Sequence, residues 1–190
     1  MIIGITGQTG TGKSTLAGIF KKNGYKVFDA DKEYADLMNN DLSLKSELID
    51  HFGSDKRQVI LNAVMDDSEQ LEKLNAITHK YVVKKIYEFV SRNSGEDIIL
   101  DVPVPVSKGF LDITDTVIIT VCDREIQLKR LSDRYFISHE DAVKRINMQM
   151  KYTEYVKLGR CILNTSYTDS NDLDAFCRIF VNTCLTDKMN

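Results

Sequence analysis

Gly7-Gln8-Thr9-Gly10-Thr11-Gly12-Lys13-Ser14 follows directly on the apolar run Met1-Ile2-Ile3-Gly4-Ile5-Thr6 and matches the pattern G-x-x-x-x-G-K-[ST]. Such a loop works only where a strand delivers it and a helix receives it. Its backbone N–H groups must close around phosphate oxygens, through φ/ψ values that a Cβ obstructs, and this is why the pattern is written in glycines. Lys13 then reaches the β- and γ-phosphates, and the Ser14 hydroxyl is a ligand for Mg²⁺. Leu16, Ile19 and Phe20 recur at helical spacing from Lys13 to Lys22, so the loop opens a helix whose positive end faces the anion. A plain Gly/Thr-rich turn is the alternative, and the strand before and helix after the loop count against it.

The 190 residues are 43% hydrophobic and 28% charged, enough for one domain with a full core. A formal net charge of -3 and a pI near 5.7 give no electrostatic footprint for a nucleic-acid backbone or an anionic membrane, so a small-molecule acceptor is expected. The opening residues lack the basic, apolar and small-residue succession of a secretory leader, and no apolar stretch approaches the roughly 20 residues of a membrane span. A cytoplasmic protein is expected. Cys122, Cys161, Cys177 and Cys184 form no C-x-x-C pair, and they read as buried thiols rather than as zinc ligands or a redox pair.

Strand-like runs at Met1–Thr6, Tyr25–Asp29, Asp97–Val102, Thr116–Val121 and Arg160–Asn164 alternate with helical patterns, which argues for a parallel α/β sheet. Ile98-Ile99-Leu100 and Val117-Ile118-Ile119 are continuous apolar runs, as strands buried on both faces require. The interval from Lys32 to Glu96 is longer than a crossover needs. It holds one helical face at Leu44, Leu48, Ile49 and Phe52, and another at Leu71, Leu74, Tyr81, Val82, Ile86 and Phe89 with Ser68 as its cap. This insertion is either an acceptor-binding side or a structural cap. Between Asp123 and Leu158, Leu128 and Leu131 mark one helix, and Ser138-His139-Glu140-Asp141 reads as a capping box opening another. The turn between them carries Arg134, and Arg145 follows on the second helix. Both suit a basic lid over a moving phosphoryl group, or else a solvated helix hairpin. Thr186 to Asn190 read as a frayed tail.

Ligands of such a sheet bind at the carboxyl ends of its strands. Asp101 closes the apolar run Ile98-Ile99-Leu100 and is the expected acid for Mg²⁺ or its water shell, or else a turn residue. Asp31 ends Asp29-Ala30-Asp31 and suits a base that takes the proton of an attacking hydroxyl, or an N-cap for a helix at Lys32–Met38. Asp29 is expected to orient the turn.

With the loop, Val27-Phe28-Asp29-Ala30-Asp31, His51-Phe52-Gly53, Ile77-Thr78-His79, Leu100-Asp101-Val102-Pro103, Gln127-Leu128-Lys129-Arg130-Leu131, Arg145-Ile146-Asn147-Met148-Gln149-Met150, and Ile162 with Asn164, the chain resembles the dephospho-coenzyme A kinases over nearly its whole length. The resemblance implies ATP-dependent phosphorylation of the ribose 3′-hydroxyl of dephospho-CoA, giving CoA and ADP, as a step of coenzyme A biosynthesis. By position, Asp31 is then the base. Gly10, Gly12, Lys13, Ser14 and Thr15 hold the ATP phosphates, with Mg²⁺ at Ser14 and Asp101. Arg134 belongs to the lid, Arg145 approaches the nucleotide, and His79 lies among the acceptor-side helices, where it contacts substrate or simply packs. One P-loop kinase domain over 1–190 is expected, with a five-stranded parallel core (1–31, 97–133, 159–185), a helical acceptor-binding insertion (32–96) and a lid (134–158).

Departures from the family pattern gather on the acceptor side. Val104-Pro105-Val106-Ser107 stands where a stretch ending in glutamate is usual, Ala35 replaces an arginine, and Lys80 replaces a proline. Gln8-Thr9 stands for a more typical glycine and isoleucine, at positions that tolerate variety. An arginine fork recognises phosphate or carboxylate in a way alanine cannot. On the sequence alone, a kinase of another nucleotide or nucleoside and a non-catalytic nucleotide-binding regulatory protein therefore stand beside the main reading.

Overall fold

A computed structural model describes residues 1–65, 67–159 and 161–187. The chain divides into two compact units, one formed by Met1–Phe28 with Gly95–Asn190 and the other by Asp29–Ser94.

The first unit is built on β1 (Ile2–Thr6), β2 (Lys26–Asp29), β3 (Ile98–Asp101), β4 (Thr116–Val121) and β5 (Cys161–Asn164), in the order β2-β3-β1-β4-β5. β1 pairs parallel with β3 and β4, and β4 pairs parallel with β5. The fourth strand matches its expected bounds, and the first three are trimmed by a residue at one or both ends. Arg160, expected to open the last strand, lies outside the described residues. Every residue of β3 is buried, as its apolar run requires.

Helix α1 (Lys13–Lys22) lays Leu16, Ala17, Ile19 and Phe20 onto Ile3, Ile5, Ile99 and Ile118 of the sheet, together with Leu173 and Cys177 of α9 (Ser170–Asp187). Each fully buried large side chain there contributes roughly 1.5–3 kcal/mol relative to exposure. This packing holds the amino end of α1, and so the loop before it, against the sheet. α9 continues through Thr186 and Asp187, which are therefore helical rather than frayed, and residues 188–190 lie outside the described residues. Of the four thiols only Cys177 is fully buried; Cys122, Cys161 and Cys184 are half-buried.

Three more helices of this unit follow β4: α6 (Arg124–Tyr135), α7 (His139–Asn147) and α8 (Tyr152–Val156). Leu128 and Leu131 of α6 close on Ala142 and Ile146 of α7, with Ile137 and Val143 at the margin. Ser138 caps α7 as expected: its Oγ accepts from Asp141 N at 3.1 Å and donates to Asp141 Oδ2 at 2.8 Å. Arg134 sits in the last turn of α6 and not in the connection, which is Phe136-Ile137-Ser138.

The second unit contains α2 (Ala30–Asn40), α3 (Leu42–Phe52), α4 (Arg57–Val64) and α5 (Ser68–Arg92). Leu37, Leu44, Leu48, Ile60, Val64 and Leu74 form its core. Aspartates start α2, α3 and α5. Asp29 Oδ1 accepts from Lys32 N at 3.0 Å and Asp41 Oδ1 from Leu44 N at 2.9 Å, while Asp67 Oδ1 accepts from Glu69 N and Gln70 N, each at 3.0 Å. Two expectations are corrected by this. The cap of α2 is Asp29, with Asp31 already inside the first turn, and the cap of α5 is Asp67, with Ser68 as the first helical residue. Lys80 forms an ion pair with Glu47, which also accepts from the Tyr81 hydroxyl at 2.8 Å. Among the described residues, no helix is long and apolar enough to cross a membrane.

Candidate active site

β1 delivers the loop at the carboxyl edge of the sheet, and the register sets Asp101 level with Ile5, two residues before Gly7. Gly7 has φ 143°, and a Cβ there would collide with the backbone oxygen of Thr120 and lie 2.8 Å from its hydroxyl. Gly12, the N-cap of α1, has φ 87°, and its Cβ would approach Thr165 Oγ1 to 3.2 Å. The glycines therefore serve close packing against β4 and the loop after β5 as well as the left-handed backbone.

The loop is tied internally and from behind. Thr11, 4% exposed, donates from its hydroxyl to Gln8 O at 2.7 Å and shares a 2.7 Å hydroxyl–hydroxyl bond with Thr120. Lys13, 8% exposed, donates from Nζ to the same Gln8 carbonyl at 3.0 Å. Ser14 and Thr15 are exposed on the first turn of α1, while Asp101 is buried at the end of β3.

Four supporting residues had no role assigned from the sequence. Gln127, buried on the apolar stripe of α6, donates from Nε2 to Thr9 O at 2.7 Å and to Gln8 Oε1 at 3.3 Å. Thr165 donates to Thr11 O at 2.9 Å and receives Arg130 Nη1 at 3.0 Å, while Arg130 Nη2 donates to Thr165 O at 2.7 Å. Gln149 Oε1 accepts from Thr9 N at 2.7 Å, and the neighbouring Met150 carbonyl accepts from Gln8 Nε2 at 3.0 Å. A polar residue on an otherwise apolar helix stripe was the available signal for Gln127. For Thr165, Arg130 and Gln149 the partners are remote in sequence, and no local pattern announces them. A cavity of about 560 Å³ beside the loop is lined by Gln8, Arg124, Gln127, Asn147, Gln149 and Lys151, among others, and Arg124 and Lys151 make its wall cationic.

Arg134 and Arg145, eleven positions apart, converge on one ring: their guanidinium carbons lie 5.4 Å and 4.0 Å from the centroid of Tyr135. Both arginines are exposed. Asp31 and His79 belong to the second compact unit. Asp31 is exposed on the first turn of α2. His79 is half-buried on α5, and desolvation lowers its pKa, favouring the neutral ring.

A strand ending in a glycine loop, a lysine folded along it, a helix opening behind it and an acid closing the next strand define a P-loop phosphotransferase of the small-molecule kinase type. The dephospho-CoA kinase family profile matches residues 1–170. The chain belongs to the dephospho-CoA kinase family. It is 33% identical over 187 residues to a dephospho-CoA kinase of Fusobacterium nucleatum, covering 94% of this chain and 95% of that one. It is 32% identical to that of Carboxydothermus hydrogenoformans, covering 87% and 85%. A crystal structure from Thermus thermophilus shares 27% identity at a TM-score of 0.78, over 96% of this chain and 97% of that chain. A shikimate kinase from Acinetobacter baumannii matches in fold alone, at 14% identity and a TM-score of 0.60, over 100% of this chain and 95% of that chain. Family membership makes the chain an ATP-dependent kinase with a hydroxyl acceptor, and it favours dephospho-CoA over the alternatives left open by the sequence.

Proposed function

We propose that the chain transfers the γ-phosphoryl group of ATP to the ribose 3′-hydroxyl of dephospho-CoA, with Asp31 as the base. The observation that carries this is the division of labour between Asp29 and Asp31: Asp29 Oδ1 is committed to Lys32 N at 3.0 Å, which leaves the exposed carboxylate of Asp31 outside the helix cap. Asp31 accepts the hydroxyl proton as the new O–P bond forms. The bond to the β-phosphate oxygen breaks, and its electron pair leaves with ADP.

Gly7 to Thr15 supply the N–H cradle, and Lys13 neutralises charge at the β/γ end. The Ser14 hydroxyl and the Asp101 carboxylate are hard oxygen donors at the same edge of the sheet, a set that fits Mg²⁺. Bound there, Mg²⁺ would offset phosphate charge. Arg134 and Arg145, gathered at Tyr135, serve the transferring group and the nucleotide from segment 134–158, and His79 serves the acceptor from the 32–96 insertion. Ala35 falls one helical turn after Asp31 on the same face of α2. The family's arginine is therefore missing next to the base, and acceptor affinity must come from other groups.

ADP release in the presence of ATP, Mg²⁺ and dephospho-CoA tests the reading. Release stimulated by dephospho-CoA and lost in Asp31→Asn is expected. ADP release with a nucleoside or nucleotide and none above background with dephospho-CoA would overturn it.

A further inference from the structure

The peptide unit joining Gln8 to Thr9 is bound at both ends. Its carbonyl accepts from Lys13 Nζ at 3.0 Å and from Thr11 Oγ1 at 2.7 Å, and its N–H donates to Gln149 Oε1 at 2.7 Å. Since the lysine of this motif reaches the β- and γ-phosphates, this peptide lies at the end of the cradle where the γ-phosphoryl group departs. A trans peptide sends its C=O and N–H in opposite directions, so turning one end turns the other. Polarisation of the N–H by an acceptor also strengthens the carbonyl as a partner for a cation.

Gln149 comes from the segment that follows α7. The same segment takes Gln8 Nε2 on the carbonyl of Met150 at 3.0 Å. A few residues later, Tyr155, 1% exposed, donates from its hydroxyl to Pro103 O at 2.8 Å, just beyond the end of β3 that carries Asp101. Residues 149–155 thus bridge two parts of the first unit, the γ end of the loop and the strand end that bears the acid. Gln127 holds the far side of Thr9 through its carbonyl at 2.7 Å, so Thr9 is clamped on both faces.

We infer that Gln149 is a positioning residue for phosphoryl transfer, setting the Lys13 ammonium through the Gln8–Thr9 peptide. The inference rests on the kinase reading of the same site. Gln149→Met preserves length and removes the acceptor, whereas Gln149→Glu keeps an acceptor for Thr9 N–H. Gln149→Met is expected to lower kcat by roughly tenfold to a hundredfold, the scale of a small misplacement of reacting groups, and to leave the ADP dissociation constant within about threefold. Gln149→Glu should recover much of the lost kcat. Equal losses in the two variants, or a loss confined to KM for ATP, would overturn the assignment.

Wild-type turnover, measured first, tests the kinase reading separately. Hydrogen exchange at the Thr9 amide of the wild-type protein needs neither variant nor acceptor. Slow exchange relative to the Gly10 amide is expected, and exchange as fast as a free loop amide would remove the basis of the inference even if the variants fail to fold.

Discussion

Arg130 grips Thr165 twice, at its hydroxyl (3.0 Å) and at its carbonyl oxygen (2.7 Å), and Thr165 passes that grip on by donating to Thr11 O at 2.9 Å. Helix α6, the loop after β5 and the phosphate loop are joined in one chain of hydrogen bonds, all within the first compact unit. Removing the Thr165 hydroxyl leaves Thr11 O and one guanidinium N–H short of a partner in a site only 3% exposed. Thr165→Val should therefore lose about 1–3 kcal/mol of stability, read from urea denaturation, and raise KM for ATP. Unchanged unfolding would mean that Thr165 props nothing.

Lys13→Ala removes the cation that Gln8 O holds at 3.0 Å. A preorganised donor at a transferring group is worth about 10²–10³ in kcat. Steady-state kinetics should show a loss of that order, and turnover within about threefold of the parent would take Lys13 out of the chemistry.

Asp29 and Asp31 should separate cleanly under mutation. Asp29→Ala strips the cap of α2 and is expected to cost about 1 kcal/mol of stability. Asp31→Asn should leave the melting temperature nearly unchanged and lower kcat by about 10²–10⁴. Reversal of this pattern would reassign the base.

Burial lowers the pKa of His79. The unfolded chain, with a histidine pKa of roughly 6.5, takes up the proton first as the pH falls. The stability that neutral His79 contributes is complete above that value and declines as the pH drops through the lower folded value. The denaturation midpoint of the wild type should accordingly fall more steeply below neutrality than that of His79→Gln. Parallel pH profiles would show that His79 titrates normally.

Much of this was legible because it is local. The phosphate loop, the apolar strand runs and the Ser138 cap each declare themselves within a few residues, and fully buried strands such as Ile98–Asp101 need no partner to be recognised. Helix α4 escaped notice because it has only eight residues and its cap position, Lys56, makes no side-chain hydrogen bond. Asp31, as the alternative to a base, and Ser68 offer themselves as the caps of α2 and α5 where the structure uses Asp29 and Asp67, because Asp-rich and Asp-Ser stretches offer adjacent residues of equal capping ability, and only backbone geometry chooses between them. The supports of the loop escape for another reason: Thr120, Gln127, Gln149 and Thr165 lie more than a hundred residues from it, and apart from the polar Gln127 on its apolar helix stripe nothing in their own neighbourhoods marks them.

The glycines of the motif have a further consequence. The Cβ positions of Gly7, Gly10 and Gly12 press respectively on Thr120, on Leu131 with Gln127, and on Thr165, so the loop is moulded to three separate parts of its own unit. It is not a transplantable cassette. Grafted into a foreign α/β scaffold, the same eight residues would keep their spelling and lose their shape unless the two threonines and the facing turn of α6 travelled with them.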